Sequence, residues 1–335
     1  MKKVVTFGEV MLRLSTPGFA RFVQSTSLNV NFGGGEANVS AALAYLGVPA
    51  SHVTQFPDND WGYAAAAAYR RYGVDTRDIL FQGDRIGTYF LETGAMMRAS
   101  RIIYDRTNSA FAQLDPAAFN WEEILADARW FHFTGISPAI SEGAYLACKQ
   151  AVATANRLGI TVSADVNSRK NLWKWGREAA DVMTELTEGC DIIVCGKGDA
   201  EELFGIVPVN NEPGFVSVCK QIQKRFPRVK KVINTKRGSV SATNNTLSGR
   251  IWNGERLFQT PVHEMFPMVD RIGGGDAFMA GFIYGQVNGF TDQKSIDFAT
   301  AAGALKHSVE GDFNLVTVAE IETVMSGDGS GRLSR

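Results

Sequence analysis

Residues 270–276 read Asp-Arg-Ile-Gly-Gly-Gly-Asp and run directly into Ala-Phe-Met-Ala-Gly-Phe-Ile-Tyr-Gly. The second stretch has the length and composition of a buried helix, so a glycine loop opens a helix that carries a carboxylate in its first turn. Gly273, Gly274 and Gly275 let the backbone approach a ligand closely and turn several N–H groups the same way, while the helix start adds partial positive charge. Anionic oxygen is favoured at such a place. Asp276 stands where it can take the proton of a hydroxyl that attacks a phosphoryl group held by those amides. Residue types and order together point to phosphoryl transfer.

A second triple glycine, Gly33-Gly34-Gly35, precedes another helical stretch, 36–46, with Asn38 in its first turn. One glycine-rich turn alone is as readily a tight turn with close helix packing. Two in one chain allow a division of labour, with a sugar's hydroxyls seated against the Gly33-Gly34-Gly35 backbone and Asn38 while the other loop holds the phosphate being moved.

The elements that must position these loops follow one rhythm. β-Branched runs at 4–7, 52–56, 130–133, 160–164, 192–194 and 232–235 alternate with helical patterns at 36–46, 61–72, 141–158 and 215–226. This predicts an α/β fold, a doubly wound and mainly parallel sheet with helices on both faces. Gly47, Gly73 and Gly159 fall where helices should stop. About 12–30 and 87–106, extended segments of mixed polarity replace the helical stripe and predict a small β-sheet lid. Residues 240–259, with Asn244, Asn245, Gly249 and Gly254 at turn positions, read as hairpins. The expected organisation is one α/β domain over 1–325 and a frayed Gly- and Ser-rich tail over 326–335.

At 335 residues, 45% hydrophobic and 21% charged, the chain can bury a large core. A net charge of −1 argues against nucleic acid or an anionic membrane as partner and for a small molecule. Met1-Lys2-Lys3 leads straight into a strand, and no apolar run of about 18 residues follows, so a cytoplasmic protein is expected. Cys148, Cys190, Cys195 and Cys219 lack metal spacing, and His52, His132, His263 and His307 lack i, i+4 pairing, so packed thiols and imidazoles are expected instead of a zinc site.

The sequence resembles the ribokinase-like, or PfkB, carbohydrate kinases, whose second signature is approximately Asp-Thr-x-Gly-Ala-Gly-Asp followed by an apolar helix. The resemblance implies that Asp276 is the catalytic base, that Gly273 to Asp276 form an anion hole, and that Gly33-Gly34-Gly35-Glu36-Ala37-Asn38 is the sugar-side motif. It covers nearly the whole chain, with Gly8-Glu9, Phe56-Pro57-Asp58-Asn59-Asp60-Trp61-Gly62 and Val232-Ile233-Asn234-Thr235-Lys236-Arg237-Gly238 in the family's order. Several pieces look like the branch that phosphorylates 2-keto-3-deoxygluconate: Tyr89, Ile103-Tyr104-Asp105-Arg106 with Ser109-Ala110, Asp165-Val166-Asn167-Ser168-Arg169 with Leu172-Trp173, and the segment from Ala304 to Asn314. Such a sugar acid carries a carboxylate, which Arg106, Arg169, Tyr89 and Tyr104 could grip. Taken alone, a Tyr in a strand more often packs and an Arg more often forms a surface pair.

ATP with Mg2+ is the implied phosphoryl donor, lying along Asn167, the strand and turn Thr235-Lys236-Arg237-Gly238, and Arg271, Gly273 and Gly275. The sequence departs from the signature at Arg271, which replaces Thr, and Gly274, which replaces Ala. The family's Asn-x-x-Glu element, which positions magnesium, aligns with Gly196-Lys197-Gly198-Asp199, where the Asn is missing and the acid is shorter, leaving Asp199 first, with Glu201 or Glu202 as substitutes. An open lid edge makes a homodimer plausible. The rival readings are a kinase for a neutral sugar such as fructose or ribose and a catalytically silent binding protein. A dinucleotide-binding dehydrogenase ranks low, because no Gly-x-Gly-x-x-Gly follows the first strand.

Overall fold

The computed structural model describes residues 2–209 and 212–327. Its strands are β1 (Lys3–Phe7), β2 (Met11–Ser15), β3 (Asn29–Gly33), β4 (Ala50–Phe56), β5 (Ile79–Phe81), β6 (Gly87–Glu92) and β7 (Arg101–Asp105). They continue with β8 (Ala128–Thr134), β9 (Thr161–Asp165), β10 (Ile192–Val194), β11 (Lys231–Ser239), β12 (Asn245–Trp252), β13 (Leu257–Gln259) and β14 (His263–Met265). The helices are α1 (Gly35–Tyr45), α2 (Asp60–Arg70), α3 (Trp121–Leu125), α4 (Ile136–Ile140), α5 (Glu142–Arg157) and α6 (Ala179–Thr187). After them come α7 (Lys197–Phe204), α8 (Gly214–Arg225), α9 (Gly274–Val287), α10 (Asp292–Lys306) and α11 (Val318–Met325).

The large sheet runs β13-β12-β11-β10-β9-β8-β1-β4-β5, with β14 also on β12. Every pair from β11 to β5 is parallel, and β12 runs antiparallel to its neighbours. Strands buried on both faces read as continuous apolar runs, and alternate residues part to opposite layers. Val4 and Trp130 pack with α1 and α9, whereas Val5 and Phe131 pack with α5, α6 and α8. The doubly wound expectation is met.

Helix α9 is apolar almost all round because it is covered on several sides. Phe278 and Phe282 are 1% and 0% exposed, and burying each side chain contributes about 1.5–3 kcal/mol. A Cβ at Gly281 would lie 2.8 Å from Ala299 Cα, so the small residue sets how closely α10 approaches. No helix among the described residues is long and apolar enough to cross a membrane.

The second sheet has the order β3-β2-β6-β7. Its outer pairs are antiparallel and its central pair, β2 with β6, is parallel. β3 extends to Gly33, so this sheet runs straight into the first triple glycine. Two turn expectations need correction. Asn245 and Gly249 lie inside β12, where Gly249 leaves room for Thr300 and Ile296 of α10. Thr235 to Gly238 belong to β11 and form no turn. Gly47, Gly73 and Gly159 all have positive φ, as helix stops should. Of the segment expected to fray, Gly327 and the residues before it are described and 328–335 lie outside the described residues.

Candidate active site

The two triple glycines face each other across a cavity of about 310 Å3. Asn38, Thr134, Asp165, Asn167, Arg237, Arg271 and Asp276 share its walls. Thr134 and Asp165 end β8 and β9, so the cavity opens at the carboxyl ends of parallel strands, where open α/β sheets form their crevices.

Local backbone demands explain the glycines. Gly273 caps α9 with φ +81°, a left-handed conformation that favours glycine. A Cβ there would overlap the carbonyl oxygen of Asp312, and one at Gly274 would overlap the His307 ring. At Gly275 a Cβ would meet no heavy atom within 4 Å, so this amide borders open space. Asn38 Nδ2 donates to Asp276 Oδ2 at 2.7 Å, and Gly34 N donates to Asn38 Oδ1 at 3.3 Å. One side chain thus ties the first glycine loop to the acid of the second.

Desolvation first, then the nearby Asp165, Glu36 and Asp312 carboxylates, push Asp276 up to about 7, against the Asn38 hydrogen bond. Asp165 is also pushed up to about 7, by desolvation and then Asp199, with Arg169 and the Asn167 N–H opposing. Two acids poised near neutrality in one crevice are suited to proton transfer. Asn167 and Arg169 hold φ of 25° and 42°, left-handed values that are costly for residues with a Cβ and that cluster at functional sites.

On the opposite wall, Arg237 Nη2 donates to His307 Nε2 at 3.0 Å, and His307 Nδ1 donates to Gly303 O at 2.7 Å. The ring is therefore neutral, and desolvation followed by Arg237 lowers it to about 4. Desolvation and then the Arg271 charge hold Arg237 below its ordinary value. Arg271 donates to Asn245 Oδ1 at 3.2 Å. Two guanidiniums and a row of helix-start amides make this wall receptive to phosphate.

Tyr104, Arg106 and Arg169 line an adjoining cavity of about 260 Å3 that shares Gly34 and Gly35 with the first. Arg106 donates to Glu9, whose other oxygen accepts from Ser109. Tyr89 is 4% exposed and its hydroxyl donates to Asp312 Oδ1 at 2.6 Å, so that group is committed within the protein. Thr235, Lys236 and Gly238 do not reach the cavity; of their stretch only Arg237 does. Asp199 also stays outside it, because its carboxylate accepts from Gly196 N at 3.0 Å at the start of α7. Among the described residues no three His, Cys, Asp or Glu are grouped to hold a metal. All four cysteines are buried and free.

Four contributors were quoted in the sequence only as parts of longer motifs and were given no role of their own. Asp165 had a visible signal, an acid at a strand's carboxyl end. Glu36 sits directly after the first triple glycine, where Thr134 and Ser137 donate to its Oε1 at 2.6–3.0 Å. Asp312 and His307 stood only within the segment from Ala304 to Asn314 noted for its resemblance, and the turn after α10 brings them in from a distance that no local pattern shows.

A doubly wound sheet bearing a small β-sheet, with an acid at the start of a glycine-led helix, is the architecture of α/β carbohydrate kinases. The chain belongs to the pfkB family carbohydrate kinases, whose family model matches residues 1–317. It is 30% identical over 332 residues to the 2-dehydro-3-deoxygalactonokinase of Haloferax volcanii, covering 98% of each chain. It is 26% identical over 311 residues to the 5-dehydro-2-deoxygluconokinase of Geobacillus thermodenitrificans, covering 90% of this chain and 86% of that one. The crystal structure of 2-dehydro-3-deoxygluconokinase from Thermotoga maritima superposes with a TM-score of 0.92 at 42% identity, over 98% of this chain and all of the other.

Proposed function

We propose that the protein transfers the γ-phosphoryl group of ATP to the 6-hydroxyl of 2-keto-3-deoxygluconate, with Asp276 as general base. The observation that carries this reading is the 2.7 Å bond from Asn38 to Asp276, which holds a carboxylate of near-neutral affinity between two glycine loops. The sugar lies against Gly33-Gly34-Gly35 and Asn38, and its hydroxyl loses its proton to Asp276. The Gly273, Gly274 and Gly275 amides, with Arg237 and Arg271, take the charge on the transferring group. The substrate carboxylate lies at Arg169, which makes no ion pair among the described residues, with Arg106 and Tyr104 beside it. Relatives named for keto-deoxy sugar acids support that choice over a neutral sugar.

The nucleotide base fits a neighbouring cavity of about 660 Å3 that shares His307 with the phosphate wall and is lined by Val262, Met265, Phe266 and Leu305. Magnesium arriving with ATP would neutralise charge on the β- and γ-oxygens. Such an ion keeps several waters and needs only one or two carboxylates, and Asp165, which faces the cavity, fits that role better than Asp199, whose carboxylate is held by the Gly196 N–H outside it. The small sheet serves as a lid that excludes water, a competing acceptor. Its open edge strand β7 is exposed along its length, and Val30 and Ile103 are half exposed, so a second copy pairing lid to lid is the favoured assembly, testable by light scattering.

The deciding experiment incubates purified protein with MgATP and a panel of keto-deoxy sugar acids, ribose and fructose, and identifies products by mass spectrometry. Phosphorylation of the acid is expected. Ribose or fructose turned over in its place would reverse the substrate assignment.

A further inference from the structure

Beneath the two glycine loops, and reaching the cavity wall at Tyr89 and Asp312, lies an ion network to which the reading above assigns no step. Arg13, on β2, donates through Nη1 to Asp312 Oδ2 at 2.8 Å and through Nη2 to Asp270 Oδ2 at 2.6 Å. Tyr89, on β6, donates to Asp312 Oδ1 at 2.6 Å. Asp270 also accepts from Ile272 N at 2.9 Å and Gly311 N at 3.0 Å. Lys306, 0% exposed, donates to the carbonyls of Val309 and Gly311 at 2.9 and 2.6 Å. Arg13, Asp312, Asp270 and Tyr89 are all 5% exposed or less. Two cations face two carboxylates, so the buried charges balance.

The placement of Asp312 gives the network its meaning. Its carbonyl oxygen occupies the space a Cβ on Gly273 would need, and its carboxylate occupies the space a Cβ on Gly33 would need. One residue backs both glycine loops, and the two donors that hold its carboxylate come from the small sheet. Replacing a buried ion pair with apolar packing is often neutral or stabilising, so stability alone is a weak reason for this arrangement. Arg13 Nε is buried without a partner, but both terminal nitrogens of its planar fork are spent on carboxylates, and such paired forks fix geometry.

We propose that Asp312, held by Arg13 and Tyr89, is a positioning residue for phosphoryl transfer: it sets the gap between the Gly33–Gly35 and Gly273–Gly275 loops and couples that gap to the small sheet. This rests on the reading of Asp276 as base and of the second loop as the phosphate's seat. A reacting pair displaced by about 1 Å loses on the order of 100-fold in rate, so the effect belongs in kcat and not in substrate affinity.

The test is Asp312→Asn, which keeps the volume and an acceptor for Tyr89 but removes the charge that Arg13 reads. With MgATP and 2-keto-3-deoxygluconate, kcat should fall on the order of 10- to 100-fold while both KM values stay within about threefold. The charged and titratable groups around Asp276 are Asp165, Glu36, Asp312, Lys306 and Tyr69. Removing the Asp312 charge should move the acid limb of kcat to lower pH, which a merely structural role would not do. Arg13→Lys, which retains the cation without the two-pronged fork, should recover part of the rate. If Asp312→Asn fails to fold, Tyr89→Phe removes one donor from the same carboxylate and should lower kcat several-fold with the nucleotide KM unchanged. A folded Asp312→Asn with normal kcat and pH profile, or a loss carried by KM, overturns the proposal. Asp276→Asn run alongside separates the two readings: an active Asp276→Asn would sink the base assignment, whereas an inactive one beside a normal Asp312→Asn sinks only this inference.

Discussion

The Asn38 side chain donates to Asp276 across 238 positions of sequence, and that one bond joins the loop proposed for the sugar to the loop proposed for the phosphate. The donor favours the charged form of the acid and works against desolvation. Asn38→Ala should therefore raise the Asp276 affinity for its proton. The acid limb of kcat/KM is expected to move to higher pH, with activity at pH 7 falling more than activity at pH 9. A pH–rate profile with an unmoved limb would show that the bond does not tune the base.

Asp276→Asn removes the base itself. General bases contribute about 10²–10⁴-fold, so turnover should fall by that order while nucleotide binding, measured by calorimetry, persists. The same variant carries a stability signature. The folded-state value of about 7 lies above the ordinary 3.8, so the folded protein holds this proton more tightly than the unfolded chain. Native stability at this residue is then lost as pH rises from about 4 to about 7, and no further loss occurs above. Relative to wild type, Asp276→Asn should gain more in Tm at pH 8 than at pH 5. Equal gains at both would mean the acid is not desolvated as described.

How much of this was legible in the sequence depended on distance along the chain. Each glycine loop and the helix it opens are contiguous, as are β1, β4, β8 and β9, so composition and period revealed them. Gly238 read as a turn because glycine is a turn residue, yet it sits in β11 leaving space for Thr246 across the strand pair. Asp199 read as a magnesium acid, but a carboxylate three residues into α7 has a nearer partner in the Gly196 N–H. Arg13 and Asp312 are 299 positions apart, and no local pattern could reveal that they meet.

Within the second loop the three glycines should respond differently to a methyl group. Gly273→Ala places a Cβ at φ +81° and against Asp312 O, so the protein should lose stability by about 1–3 kcal/mol or more. Gly275→Ala meets nothing in the protein, and alanine suits a helix start, so Tm should hold or rise. Its methyl group would stand where the transferring phosphate needs the amide, and kcat should drop. A Gly275→Ala enzyme with full activity would place the phosphate elsewhere.

Arg169 provides the sharpest test of acceptor choice. It borders the cavity beside Gly34 and Gly35 and makes no ion pair within 4 Å among the described residues, although its charge is felt by Asp165. Arg106, by contrast, is already paired with Glu9. A hydrogen bond to a charged group contributes about 1.5–3 kcal/mol, so Arg169→Ala should raise the KM for 2-keto-3-deoxygluconate about 10- to 100-fold. Any residual turnover of a neutral sugar should be nearly unchanged, because that substrate brings no anion to the site. Arg106→Ala should do additional harm by stranding the buried Glu9 carboxylate, and its Tm should fall where that of Arg169→Ala does not. Steady-state kinetics on the two variants with both substrate types, alongside melting curves, separates a guanidinium that reads the substrate from one that supports the wall. Equal losses on acid and neutral sugar in Arg169→Ala would remove the carboxylate from this corner of the cavity.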